Sequence, residues 1–150
     1  MDKEVLMIFG VLLLLFCMQS VGGFFQVKEF RKAISRVHKH GNVGIGQKKG
    51  FLFTGYIFLV ACDSEGVITY NEVLDGAFIF SKFHPLETYL GMPLVGTSIY
   101  DFIEKFAFFD KKEWKQNKGY IQAMEAVARH LNPEPAEEEE ADEAESSTEA

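Results

Sequence analysis

The chain opens on an unbroken apolar run. From Val5 to Val27 it reads VLMIFGVLLLLFCMQSVGGFFQV, with no charged residue. A helix of about 20 apolar residues crosses the ~30 Å hydrocarbon core of a bilayer, so the run predicts a membrane-spanning helix. Gln19, Ser20, Gly22 and Gly23 weaken its C-terminal third. A cleaved signal peptide fits less well. Its n-region would be basic and a small-residue cleavage site would follow. Here Met1-Asp2-Lys3-Glu4 is close to neutral and no such site follows. From Phe24 the pattern changes to three- and four-residue spacing. Phe24, Val27, Phe30, Ile34 and Val37 make one apolar stripe, which predicts a helix to His40. Arg31, Lys32, Ser35, Arg36 and Lys39 fall largely on its other faces, and Gly41 is the stop signal.

The period then shortens. Gly41 to Gly50, GNVGIGQKKG, is glycine-rich with room for one short strand. Phe51–Thr54, Tyr56–Cys62, Val67–Leu74 and Ala77–Phe83 are rich in aromatic and β-branched residues, as strands are. Asp63-Ser64-Glu65-Gly66 and Asp75-Gly76 are turn signals between them. Three or four strands joined by tight turns predict an antiparallel meander. Helical spacing returns later. Pro85 suits the first turn of a short helix ending at Gly91. Ser98-Ile99-Tyr100-Asp101 resembles a capping box opening a helix to Phe106. Lys111 to Leu131 predicts one last amphipathic helix with Trp114, Ile121, Met124, Ala128 and Leu131 on its apolar side. Pro133 and Pro135 end it, and the Glu-rich stretch beyond cannot build a core. The expected fold is therefore α+β. An N-terminal transmembrane helix (1–27) continues into a basic juxtamembrane helix. A small antiparallel β domain with a C-terminal amphipathic helix follows (28–131), then a disordered acidic tail (132–150).

Charge sharpens this picture. The 150 residues carry a formal net charge of −7, but unevenly. Asn132 to Ala150 hold nine acids and no Lys or Arg. Lys28 to Val60 hold seven cations against one acid, and Ala61 to Asp110 hold two against eight. Orientation follows flanking Lys and Arg, and the positive flank stays in the cytoplasm. One cation precedes the span and five follow it closely (Lys28, Arg31, Lys32, Arg36, Lys39), so the N-terminus is expected outside and the bulk of the chain in the cytoplasm. Two cysteines, Cys17 and Cys62, are too few for a disulfide scaffold and suit a reducing compartment or indifference to redox.

Few residues suggest chemistry. Gly41, Gly44, Gly46 and Gly50 invite a phosphate-loop reading. Yet Gly44-Ile45-Gly46 follows a helix and leads to strands, and no G-K-[ST] closes it. Close backbone packing accounts for these glycines more simply. His38 and His40 point to different helix faces and have no ligating neighbour for a metal. Cys62 reads as a buried small hydrophobe, and no G-x-S-x-G elbow is present. Asp63, Glu65, Glu72 and Asp75 read as a solvated rim at the turns. The basic set Arg31, Lys32, Arg36, Lys39, Lys48 and Lys49 suits anionic lipid headgroups, each worth about 1 kcal/mol near the surface. Nucleic-acid phosphate would suit the same charges, though no DNA-reading motif accompanies them. No cofactor, metal or catalytic group is expected, and the chain reads as something other than an enzyme.

Taken together, particular residues resemble the glucitol (sorbitol) operon activator family of bacteria, the GutM type. They are the apolar span ending in Gly22-Gly23, Glu29-Phe30-Arg31-Lys32-Ala33, and Gly41-Asn42-Val43-Gly44-Ile45-Gly46 with Gly50. Tyr56 to Leu74, Gly76 with the aromatic run after it, and Leu90-Gly91-Met92 complete the set. The resemblance covers residues 5 to 131 and leaves the acidic tail outside it. It implies a positive regulator of sugar-alcohol uptake and metabolism, working alongside phosphotransferase transport components. A membrane anchor implies action through a protein partner, either a transporter subunit or a second regulator. The alternatives are an accessory protein of the transporter and a direct DNA-binding activator.

Overall fold

The computed structural model describes residues 2–50, 54–76 and 81–133. The acidic tail beyond Pro133 lies outside the described residues, as do most of the strand expected at Phe51–Thr54 and the first four residues of the strand expected at Ala77–Phe83. The elements are α1 (Lys3–His38), β1 (Asn42–Lys48), β2 (Tyr56–Cys62), β3 (Ile68–Asp75), β4 (Thr88–Tyr89), β5 (Met92–Pro93), α2 (Ile99–Phe106), α3 (Lys111–Gln116) and α4 (Lys118–Leu131). The expected apolar span and basic helix are one continuous helix of 36 residues. At 1.5 Å per residue it is about 54 Å long.

The sheet is an antiparallel meander in the order β1-β2-β3. Alternation along β2 gives each face its own core. Phe58, Val60 and Cys62 pack with Val73, Phe102, Ile121, Met124 and Val127 beneath α2 and α4. Leu59 and Ala61 pack with Ala33 and Val37 of α1. Only the C-terminal third of α1 belongs to this domain, because Ala33 and Val37 are its buried residues. Sixteen large apolar side chains from Val5 to Val27 are exposed.

Both flanking helices run along the strands. Phe25 and Phe30 of α1 share a groove with Ile57 and Leu74, the Arg36 guanidinium meets Glu72, and the His40 ring stacks on Tyr70 at 4.3 Å. Since Leu59 pairs with Glu72 and Ala61 with Tyr70, α1 runs parallel to β2. α4 runs antiparallel to β1. The backbone of Gly46 lies against Gly119, and that of Gly44 against Ala123. The sheet thus has two distinct ends. Lys48, Tyr56 and Asp75 pair at the end where α1 arrives. At the other lie Cys62, the Asp63–Gly66 turn and the start of α2, whose Ile99 N–H donates to the Gly66 carbonyl at 2.9 Å.

Three local expectations are corrected. Pro85 to Gly91 is not a helix. Thr88–Tyr89 and Met92–Pro93 form a two-residue hairpin, with Leu90 at φ 51° and Gly91 at φ 75°. Positive φ at both turn positions matches the right-handed strand twist, the usual solution for so short a loop. The Leu90 side chain, half-buried on the core, holds that strained position in place. Second, the last helix breaks at Asn117 into α3 and α4. The Tyr89 hydroxyl donates to Asn117 Oδ1 at 2.7 Å, and the Tyr56 hydroxyl donates to the Gln116 carbonyl while accepting from the Gly119 N–H. These bonds hold a turn where the apolar stripe alone suggested continuity. Third, the Ser98 cap of α2 is there, its Oγ accepting from the Tyr100 N–H, but the reciprocal capping box belongs to Asp110 and Glu113 at α3.

Candidate functional site

The junction of α1 with the sheet gathers most of the residues singled out in the sequence. Ala33 and Val37 are small enough to bring the helix close to Leu59 and Ala61. That approach carries Arg36 to β3. Its Nε and Nη2 each donate to a Glu72 carboxylate oxygen at 2.8 Å, a bidentate pair. The Tyr70 hydroxyl donates to Glu72 Oε1 at 2.8 Å. Glu72 is only 2% exposed, which corrects its reading as part of a solvated rim. Burial opposes its ionisation, but the Arg36 and Tyr70 hydrogen bonds outweigh burial and hold the carboxyl below its ordinary value. The hydrogen bond to Glu72 likewise raises Arg36. Arg36 is therefore the helix's tie to the sheet, its charge already matched.

The other basic candidates fall in two places, and on the helix Arg31 lines one shallow groove with Lys39 and another with Lys28 and Lys32. Arg31, Lys32 and Lys39 are exposed on α1, with Lys32 at 3.2 Å from Glu29. Lys39 lies about 12 Å along the helix from Arg31. Lys48 and Lys49 lie at the other edge of the sheet, at its Tyr56 end.

The glycines serve packing. A Cβ on Gly46 would overlap the Gly119 carbonyl, and one on Gly44 the Ala123 carbonyl. The space a bound phosphate would need there is occupied by the backbone of α4. Gly41, at φ 141°, lies against the Cys62 carbonyl, and Gly50 against Thr54 and Gly55. Cys62 is fully buried, and burial pushes its thiol up to about 12, which keeps it unreactive.

Two features were missed by the sequence reading. Asn71, 1% exposed, accepts from the Leu86 N–H at 2.8 Å and donates to its carbonyl at 3.0 Å. It binds the 84–87 segment to β3 as a strand would, and an Asn inside the strand-forming stretch Val67–Leu74 was the available signal. The second is the groove between α1 and the sheet, with a volume of about 590 Å³. Phe25, Phe30, Ile57, Leu74 and Phe83 line it, with Glu29 and Lys82 at its rim. It opens where the exposed apolar part of α1 meets the domain. Among the described residues no cluster of His, Cys, Asp and Glu could hold a metal.

Neither a curated protein nor a solved structure matches the chain. The family model of the glucitol operon activator protein (GutM) matches residues 7–112, taking in the apolar helix, its Arg36–Glu72 tie, the whole sheet, the hairpin and α2. By that match, over more than half its length, the chain belongs to the glucitol operon activator family.

Proposed function

We propose that this protein is a single-pass protein of the bacterial cytoplasmic membrane that raises expression of a sugar-alcohol (glucitol or sorbitol) operon through a protein partner. Residues 1–27 serve as the anchor, 28–131 as a cytoplasmic domain and 132–150 as an acidic extension. The observation that carries the reading is α1. One helix has 16 large apolar side chains in solvent at one end and is fastened to a folded domain by Ala33, Val37 and Arg36 at the other. Its apolar segment is exposed along its whole length. In water so large an apolar surface would drive aggregation, whereas a bilayer accommodates it. The excess of cations after the span supports a cytoplasmic domain. Action through a partner suits an anchored regulator better than direct DNA contact, since Arg36 is committed to Glu72. The groove at the foot of α1 favours the accessory-protein reading as a second possibility, because a transporter subunit would meet the domain there.

In-cell crosslinking tests the proposal, with an operon reporter as the second readout. A photoreactive residue at Phe25 or Lys82 is expected to capture a transporter subunit or regulator whose deletion silences the reporter. Capture of operator DNA, with loss of output on neutralising Arg31, Lys32 and Lys39, would establish the direct-binding alternative instead. A reporter enzyme active only outside the membrane, fused after Leu131, is expected to stay silent.

A further inference from the structure

The two ends of the sheet differ in the charges they leave unpaired, because at the end where α1 arrives Asp75 meets His84 at 3.0 Å and Asp110 and Glu113 form the α3 capping box. α1 arrives from its apolar segment at the Ile57–Leu74 end, and β1 closes at that same end with Lys48 and Lys49. The α3–α4 junction is fixed there too. Tyr56, the first residue of β2, is bonded through its hydroxyl to Gln116 and Gly119 and stacks on Tyr120 at 4.7 Å. Tyr89 continues the stack at 4.3 Å from Tyr120 and meets Phe106 at the end of α2. Helix α3, KKEWKQ, is thereby held at this end with no buried residue. It carries Lys111, Lys112 and Lys115 in solvent, Lys111 one turn before Trp114 on its face of the helix, while Asp110 and Glu113 are engaged with each other's backbone in the capping box. Trp114 is 45% exposed, and Phe108 before the helix is 84% exposed. Phe108 lies in water and Trp114 is about half exposed beside these lysines, and neither ring belongs to the core. The opposite end holds Asp63, Glu65 and Asp101, and the chain leaves α4 there toward its nine tail acids, with Asn132 bonded to the Tyr100 hydroxyl at 2.8 Å.

We infer that α3, with Trp114 flanked by Lys111, Lys112 and Lys115 and with Phe108 beside it, is a second membrane contact that docks on anionic lipid headgroups and sets the tilt of the domain. This rests on the anchor reading above, which puts the α1-arrival end of the sheet against the bilayer. Trp is favoured at the headgroup level because its ring is amphipathic, and lysines there are drawn to anionic lipid. Asp63, Glu65 and Asp101 at the opposite end then face away from the like-charged surface. Hydrophobic spacing alone could not reveal this element, because α3 merges in sequence with the stripe of α4.

Trp114 is the single tryptophan of the chain and so reports on itself. The full chain is reconstituted into phosphatidylcholine vesicles with or without phosphatidylglycerol, carrying a lipid quencher at a shallow position. Trp114 is expected to be quenched and blue-shifted in the anionic vesicles, and both signals are expected to fall in 1 M salt, where the Debye length shrinks to about 3 Å. Each headgroup attraction is worth a factor of about five in docking. The variant carrying Lys111→Gln, Lys112→Gln and Lys115→Gln is therefore expected to fall to the quenching seen in phosphatidylcholine alone. Carbonate-resistant flotation is measured on the same samples. A chain that floats while Trp114 stays unquenched overturns the inference and leaves the anchor standing. A chain that does not float overturns the anchor reading and this one with it. Quenching that ignores both salt and the lysine changes overturns the electrostatic docking.

Discussion

At the scale of residues, the decisive group is Glu72, whose carboxylate is buried and survives because three hydrogen bonds converge on it. Removing one partner of such a site strands a desolvated charge, a larger penalty than the net value of the pair. Arg36 is itself 44% exposed, so solvent screens part of the interaction. Arg36→Gln is therefore expected to destabilise the folded domain by about 2 kcal/mol at pH 7. The pH dependence has a definite sign. In the native protein Glu72 titrates below its unfolded value, so its contribution is full at neutral pH and is lost as pH falls through the depressed folded pKa. In Arg36→Gln burial dominates, the Glu72 pKa moves above its unfolded value, and the deficit shrinks as pH falls and the carboxyl takes up a proton. Urea melts of both proteins at pH 7 and pH 4.5 measure this, and a deficit that grows at acid pH would contradict it. Gly46 gives a second prediction at this scale. A methyl there meets the Gly119 carbonyl of α4, a backbone atom that cannot swing aside. Gly46→Ala is expected to cost about 2 kcal/mol, as overpacked sites do. The paired change Lys48→Ala with Lys49→Ala is expected to leave the melt unchanged.

At the scale of elements, legibility followed the length and regularity of each pattern. The apolar run, the α1 stripe and the β2 and β3 segments were readable because long periodic stretches leave one economical burial. The failures were short or shared. Pro85–Gly91 satisfied the composition of a helix, but Leu90-Gly91 took a hairpin because a side chain far away in sequence space, Phe102 with its core neighbours, rewards burial of Tyr89. Glu72 read as solvent-facing because its partner is 36 residues away. Asn117 read as one more helix residue because its partner is Tyr89, 28 residues away. That last bond can be tested. The Asn117 side chain accepts from Tyr89 and donates to the Glu113 carbonyl at 2.9 Å, so it ends α3 and caps the stack of tyrosines at once. Asn117→Ala favours a continuous helix locally but leaves the buried Tyr89 hydroxyl without its acceptor, at a cost of about 1–2 kcal/mol. Tyr89→Phe in the Asn117→Ala background is expected to recover part of that loss, since the stranded hydroxyl is gone. A double-mutant cycle by thermal melting reads the coupling directly, and additive losses would show that the bond does not hold the break.

At the scale of the whole molecule, the question is whether α1 is a tether or a lever. The helix has no break between Val5 in its apolar part and Arg36 at the sheet. A rotation or tilt at one end is therefore carried to the other, whereas a loop would dissipate it. Inserting alanines between Val27 and Lys28 separates the alternatives. Each inserted residue turns the domain by about 100° and moves it by 1.5 Å along the axis. On the anchor reading, two residues turn the groove by about 200° relative to neighbours in the membrane plane, and four bring it back to within about 40° of its starting direction. The sheet-facing contacts of Ala33, Val37 and Arg36 lie beyond the insertion, so thermal stability is expected to stay constant in every variant. If the domain engages its partner from a fixed direction, operon output is expected to collapse with two alanines and return with four. If height above the bilayer governs instead, output declines steadily with length, because four residues lift the domain by about 6 Å. If α1 only holds the domain near the membrane, two and four alanines both leave output intact. The continuity of the helix and its bidentate fastening to β3 favour the first outcome, and a flat response across the series would reduce α1 to a tether.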